Sequence, residues 1–383
     1  MRLWPFGRRE RHVASLPDDL LFVEHLLRRN VEDLVAVRDR QVVGGTVVFR
    51  GELLSAPGRA LDVLTDRLRP FGFTPFLRPD PYGVAVHAWP LVERRTPERI
   101  RLNILLFALT CLSVLMAGAG AWLLDPVTAI VLFAAEPWRL LTGVPFAVTL
   151  LAILGTHEFG HYFAARYYKA SVSLPYFIPA PPPFPFGTLG AIIRMRSLAR
   201  DRNSLFDIAA AGPLAGLAVA VPAIVLGLEW SRVVPIPPGE PLIFFGDSLL
   251  MRLLVLLRFG PIPDGHDVVV HPVALAGWVG LLVTALNLFP VGQLDGGRIA
   301  YALFGRRHAL VGKLTVGALV GLFAVTWSVN WLVWAALIVL LVGFTHHPPL
   351  DDVTPLSSGR RTVGWGCLVL LVLLVPPNPI SIG

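Results

Sequence analysis

Residues 157–161 read His157-Glu158-Phe159-Gly160-His161. On a helix, positions i and i+4 face the same way, so both imidazoles can grip one Zn²⁺ while the glutamate between them reaches a water on the ion. A chain of this composition produces such a match by chance at about the 1 % level, so the pattern alone is suggestive. Its placement carries more weight. The motif ends an apolar run, and ionisable side chains inside a membrane-spanning segment are costly and mark function. The bland alternative is a polar cap with interfacial histidines.

A catalytic zinc needs a third protein ligand and an open position. The segment Leu286-Asn287-Leu288-Phe289-Pro290-Val291-Gly292-Gln293-Leu294-Asp295-Gly296-Gly297-Arg298 closes another apolar run. Asp295 is expected just past a proline-broken helix end, where the chain can turn back into a bundle. Asp-Gly is also ordinary turn chemistry, and Asn287 could serve only as an interhelical hydrogen bond.

The elements that must position these residues follow from composition. The chain has 383 residues, 54 % of hydrophobic types and 15 % charged, with mean hydropathy +0.64. Soluble domains carry about 25 % charged residues. Half of the charged residues fall in the first 101, so a small soluble domain precedes a membrane part. Over 1–98 the pattern predicts an α+β domain: helix at 17–30, strand at 46–54, helix at 59–68, and strands at 73–77 and 82–88 about a turn at 78–81. Its role is open. The domain from 99 to 383 reads as seven spans, at 102–124, 140–161, 205–228, 271–290, 308–327, 331–345 and 362–377. The run 127–138 is too short to cross, and 241–260, with Asp247, Arg252 and Arg258, suits an interfacial helix.

The net charge of +7 does not imply nucleic acid. Five arginine-rich groups (residues 94–101, 166–169, 194–202, 298–313 and 360–361) fall on one side if the N-terminus is cytoplasmic. No cleaved signal peptide is expected, since no apolar run follows the basic N-terminus. Cys111 and Cys367 lie in apolar runs and read as small hydrophobes. His25, His87, His266, His271, His308, His346 and His347 read as surface, core or interfacial residues, with a second metal site at His346-His347 the lesser alternative.

The HExxH stretch, paired in this order with Asn287-x-x-Pro290-x-x-x-x-Asp295-Gly296, resembles the site-2 protease family of intramembrane zinc metalloproteases. Ala211-Gly212-Pro213-Leu214-Ala215-Gly216, between the two motifs, is similar to a third family feature. The likeness covers about residues 150–300. Tyr176-Phe177-Ile178-Pro179, followed by Phe186-Gly187-Thr188-Leu189-Gly190-Ala191-Ile192, looks most like the chloroplast and bacterial branch called ethylene-dependent gravitropism-deficient and yellow-green proteins.

The resemblance implies a polytopic α-helical membrane protein with one Zn²⁺ per chain. It implies His157, His161 and Asp295 as ligands, Glu158 as general base, and Asn287 as a helper for the oxyanion or for substrate orientation. It also implies that a re-entrant β-hairpin containing Gly187, Thr188, Leu189 and Gly190 aligns substrate by strand addition. A structural loop over the zinc helix is the alternative reading of that segment. The expected partners are transmembrane protein substrates and the lipid bilayer, without nucleic acid and with the oligomeric state open. The expected location is a bacterial plasma membrane. The competing class is a non-catalytic metal-binding membrane protein, either a client-holding pseudoprotease or a metal transporter. A transporter should show inverted repeats or paired polar residues at span midpoints, and neither is visible in the sequence.

Overall fold

The computed structural model describes residues 24–43, 45–90, 99–236 and 243–382. The chain divides into two compact units, Met1–Arg94 with Pro349–Pro355, and Arg95–Pro348 with Leu356–Gly383.

The first unit is a four-stranded antiparallel sheet, β1 (Val35–Val43), β2 (Thr46–Leu53), β3 (Phe73–Asp80) and β4 (Gly83–Pro90), in the order β1-β2-β4-β3. Helix α1 (Pro57–Leu68) starts with proline in its first turn, where no backbone N–H is needed. It buries Ala60, Leu61, Leu64 and Leu68, an i, i+3/i+4 stripe. These pack with Phe49, Val47, Val84, Val86 and Leu77 into the core, together with Leu27 and Val31 from the segment before β1. The predicted strand at 46–54 and helix at 59–68 are present. The β3–β4 turn falls after Asp80 rather than at 78–81, because Asp80 still pairs with Gly83. The alternation of 35–43 went unread and forms β1. Residues 24–29 are helical, and the start of the helix expected at 17–30 lies outside the described residues.

The second unit is mostly helical. Its helices are α2 (Ile100–Gly118), α3 (Pro126–Ala135), α4 (Val144–Tyr167), α5 (Arg202–Glu229), α6 (Leu249–Phe259), α7 (Pro272–Leu288), α8 (Asp295–Phe304), α9 (His308–Thr326), α10 (Val329–Leu337) and α11 (Ser358–Leu374). Four helical stretches among the described residues are long and apolar enough to cross a membrane: Ile100–Gly118, Pro137–Tyr167, Arg202–Glu229 and Asp295–Thr326. Shorter apolar helices occupy Pro126–Ala135, Pro272–Leu288 and Val329–Leu340. The expected seven spans are therefore met by four of spanning length. The connection expected between the fourth and fifth spans is itself helical, since α8 runs through a short 3₁₀ turn into α9. In the stretch expected as an interfacial helix at 241–260, α6 is the helical part among the described residues, and Ile243–Phe245 is a strand.

Helices α4, α5 and α7 form the centre, with α8 against α5. Small residues allow the close crossings. A Cβ on Gly160 would lie 2.7 Å from the Ala211 carbonyl oxygen, and one on Gly227 would lie 2.3 Å from the Ala274 nitrogen. Helix α5 begins with a reciprocal capping box, Asp201 to the Ser204 backbone and Ser204 to the Asp201 backbone. Strands β5 (Tyr176–Pro179) and β6 (Thr188–Ile192) form the hairpin expected from the proline-dense segment.

Candidate metal centre

Helix α4 carries His157, Glu158 and His161 on the buried face of its C-terminal half; the three are 3 %, 7 % and 4 % exposed. Buried charge-bearing groups at such a depth require partners. After α7, the chain reverses through Phe289–Leu294 and starts α8 at Asp295. The reversal is tight. A Cβ on Gly296 would fall 1.9 Å from the Leu288 carbonyl oxygen, and one on Gly297 would fall 2.4 Å from that of Gly292. The two glycines after Asp295 therefore let α8 start directly against the end of α7, and that start delivers the aspartate carboxylate to α4. Asp295 sits in the first turn of a helix and not in an open turn.

The ligand atoms of His157, His161 and Asp295 all lie within 4.8 Å of one another. His161 Nε2 stands 3.0 Å from Asp295 Oδ2 and 3.2 Å from His157 Nε2, while His157 Nε2 stands 3.5 Å from Asp295 Oδ2. Donor atoms about 2.0–2.2 Å from a tetrahedral zinc stand roughly 3.3–3.5 Å apart, so this set fits one such ion. The second ring nitrogen of His161 supports the assignment. His161 Nδ1–H donates to the Ile208 carbonyl at 2.6 Å, which fixes the tautomer and turns the Nε2 lone pair toward Asp295. Asn287 Nδ2 lies 3.3 Å from His157 Nε2. Glu158 is buried beside them, in the field of Asp295 and Arg298. The fold thus gathers His157, His161, Asp295, Asn287 and Glu158 in one place.

Two glycines of α5 hold the imidazoles. A Cβ on Gly212 would lie 2.1 Å from His161 Nε2, and one on Gly216 would lie 3.2 Å from the His157 ring. The sequence offered this stretch only as a family-like feature between the two motifs. Their role against the histidines depends on how two helices cross, which no local pattern records. The Ile208 carbonyl was equally invisible.

The hairpin containing Gly187, Thr188, Leu189 and Gly190 is anchored on α2. Ser113 Oγ donates to the Gly187 carbonyl at 2.6 Å, and Asn103 Nδ2 donates to the Pro175 carbonyl at 2.8 Å. Gly187 has φ +69°, and a Cβ there would meet the Ser113 carbonyl oxygen at 2.3 Å. Thr188 Oγ1 donates to the Ile178 carbonyl, tying β6 to β5. Leu189 and Ile192 are exposed, and β6 also packs near α4. Asn103 and Ser113 could have been suspected as polar residues in an apolar helix.

Residues 145–329 match peptidase family M50. The chain thus contains a peptidase M50, or site-2 protease, domain. It is 29 % identical over 362 residues to "Probable zinc metalloprotease EGY2, chloroplastic" of Oryza sativa subsp. indica, an alignment covering 91 % of this chain and 64 % of that protein. It is 31 % identical over 323 residues to "Probable zinc metalloprotease EGY1, chloroplastic" of Arabidopsis thaliana, covering 78 % and 58 % respectively. The counterpart named EGY1 of Oryza sativa subsp. japonica is 33 % identical over 325 residues, covering 78 % and 55 %. The chain therefore spans less than two-thirds of the length of these relatives. The family likeness read from the motifs stands, and so does the integral-membrane expectation. The relatives are named chloroplastic, which runs against the expectation of a bacterial plasma membrane.

Proposed function

We propose that this protein is an intramembrane zinc metalloprotease that hydrolyses peptide bonds in or near transmembrane segments of other proteins. The observation that carries the proposal is the meeting of two α4 histidines with the first residue of α8 in a buried setting, with Glu158 beside them. His157, His161 and Asp295 would hold one zinc. When bound, zinc supplies Lewis-acid polarisation of a carbonyl and activation of water near neutral pH. Glu158 accepts the water proton and returns it to the leaving amine. Asn287, against His157, is placed to donate a hydrogen bond to the developing oxyanion or to orient the peptide.

A helical substrate hides its carbonyls in i→i−4 bonds and must unwind locally before hydrolysis. The outer edge of β6, at Gly187, Thr188, Leu189 and Gly190, would take the unwound segment as an added strand. We read the 99–383 region as the catalytic domain, with α7, α10 and α11 completing seven crossings, and residues 1–98 as a domain on the cytoplasmic side. The partners are transmembrane protein substrates and the bilayer.

The deciding experiment is Glu158→Gln in the purified protein with a model transmembrane substrate. Cleavage is expected to fall by about 10²-fold or more while zinc content stays near one per chain. Undiminished cleavage would remove Glu158 from the mechanism. Asp295→Ala should lower zinc content, and full occupancy would mean that another residue is the third ligand.

A further inference from the structure

The imidazole of His161 is oriented from behind by the Ile208 carbonyl, which accepts from Nδ1–H at 2.6 Å. Where that carbonyl stands depends on the first turns of α5. Pro213, inside the same helix, has no backbone N–H to give to the Ala209 carbonyl, so the ladder of α5 is interrupted just past Ile208. The turns ahead of the proline therefore gain from being held by other elements.

The residue beside Ile208 is where they are held. Asp207 receives the Arg360 side chain of α11 as a fork, Nε to Oδ1 at 2.8 Å and Nη2 to Oδ2 at 2.7 Å. Tyr168, at the C-terminal end of α4, donates its hydroxyl to Asp207 Oδ2, and that hydroxyl oxygen in turn accepts from Arg360 Nη2 at 3.3 Å. One turn earlier on α5, the Asn203 side-chain carbonyl accepts from Ser357 N–H at 3.0 Å. Arg360 Nη1 donates to Ser357 Oγ at 3.1 Å, which ties the two attachments together. Along α4, His161 and Tyr168 lie two turns apart, about 10 Å, and they bond to successive residues of α5, Ile208 and Asp207. Ala165 and Ile208 are buried in one apolar cluster, with Tyr168 packed against it.

Arg360 and Asp207 are partly exposed, so their pair contributes modestly to stability. What a bidentate pair adds is direction, because two parallel bonds admit one orientation of the carboxylate. We propose that Asp207 is a positioning residue for the metal centre: gripped by Arg360 and Tyr168, it fixes the turn of α5 whose next carbonyl orients His161. Asp207 acts only through Ile208 and His161. The role rests on His161 as a zinc ligand.

The test is zinc affinity of the full chain in detergent, measured by competition with a chelator and set against thermal unfolding. Asp207→Asn keeps the shape and removes the charge. It should weaken zinc about threefold or more, less than the roughly 10–100-fold that losing a direct outer partner costs, while Tm falls by only a few degrees. Tyr168→Phe removes one hydroxyl and should weaken zinc about twofold; where Asp207→Asn does not fold, this variant decides. Phe133→Ala, in the separate apolar cluster of α3, is the control. It should lower Tm at least as much and leave zinc affinity as in wild type. Wild-type affinity in both Asp207→Asn and Tyr168→Phe would overturn the proposal. So would a loss of affinity in Phe133→Ala in step with its Tm, since zinc binding would then merely follow stability. His161→Ala separates the two readings. If it binds zinc as wild type does, the ligand assignment fails and the role of Asp207 with it. If it loses zinc while Asp207→Asn and Tyr168→Phe do not, only the role of Asp207 fails.

Discussion

The two units solve the problem of polar groups in opposite ways. The sheet unit sets most of its ion pairs at the surface, Arg38–Glu52, Arg50–Asp39 and Arg67–Asp33 being exposed or half-exposed over a core of Leu, Val and Phe, and buries Glu24, Asp351 and Asp352 at its margins. The helical unit has a core of the same apolar types, yet admits His157, Glu158 and His161 into it, with Asp295 partly buried beside them. Around these four side chains the packing turns on glycine. Gly160, Gly212, Gly216, Gly296 and Gly297 all stand where a Cβ would meet a neighbouring helix, a ligand imidazole or the reversing backbone. In the sheet unit the side chains that fill space hold the structure. In the helical unit the side chains that are missing hold the site.

The sharpest way to break that contrast is Gly212→Ala. The added methyl would sit 2.1 Å from His161 Nε2, with the ring fixed on its other side by Ile208. Competition with a chelator should find zinc affinity reduced about 10–100-fold, the cost of disturbing a ligand together with its outer partner. Gly317→Ala, where nothing lies within 4 Å, should bind as wild type. Wild-type affinity in Gly212→Ala would mean that α5 yields easily and that glycine does not set the site.

The complementary change is Phe49→Ala. Phe49 is fully buried in the sheet unit, and truncation there should cost about 3–5 kcal/mol. Hydrogen exchange at β2 and β4 should accelerate about 10²-fold or more, while α4 amides near His157 keep their protection. Acceleration spreading evenly over both units would show one cooperative body and dissolve the comparison.

How much of this was open to sequence reasoning differs along the same line. HExxH, Asn287 and Asp295 carry their chemistry in residue type and spacing, and the fold brings them together. Strand β2 and helix α1 follow from alternation and from a 3.6-residue stripe. The glycine contacts, the Ile208 carbonyl and the bridge between Leu77 of β3 and Asp351 are long-range meetings with no local signature. Asp295 was expected just past a proline-broken helix end, with an ordinary Asp-Gly turn as the alternative reading. In the fold Gly296 and Gly297 allow a helix to start against another helix end.

A smaller effect tests the polar side of the helical unit. Arg360 holds Asp207 in a fork, Nε to Oδ1 at 2.8 Å and Nη2 to Oδ2 at 2.7 Å, and Tyr168 donates its hydroxyl to the same carboxylate. The two charged side chains are 35 % and 28 % exposed, so solvent takes part of the gain. Arg360→Lys keeps the charge and loses the fork, and a loss of about 1 kcal/mol is expected from thermal unfolding. A variant as stable as wild type would make the fork incidental.

The smallest effect belongs to the sheet unit's surface. The Arg67 guanidinium, bonded to Asp33 Oδ1 at 2.6 Å, holds that carboxyl below its ordinary range. A carboxyl depressed on folding binds its proton less readily in the native state, so its contribution is present above the unfolded pKa of about 3.9 and is lost as pH falls through the lower native value. Both side chains are largely open to water, at 36 % and 54 % exposure, which limits the gain to under about 1 kcal/mol. Asp33→Asn should therefore lower the stability of the sheet unit slightly at pH 7, and the difference should shrink as pH drops below 4 or as salt rises toward 1 M. A large, salt-insensitive loss would mean that the pair is desolvated. The sheet unit would then depend on a charge as the helical unit does, and the contrast between them would fail where it is drawn.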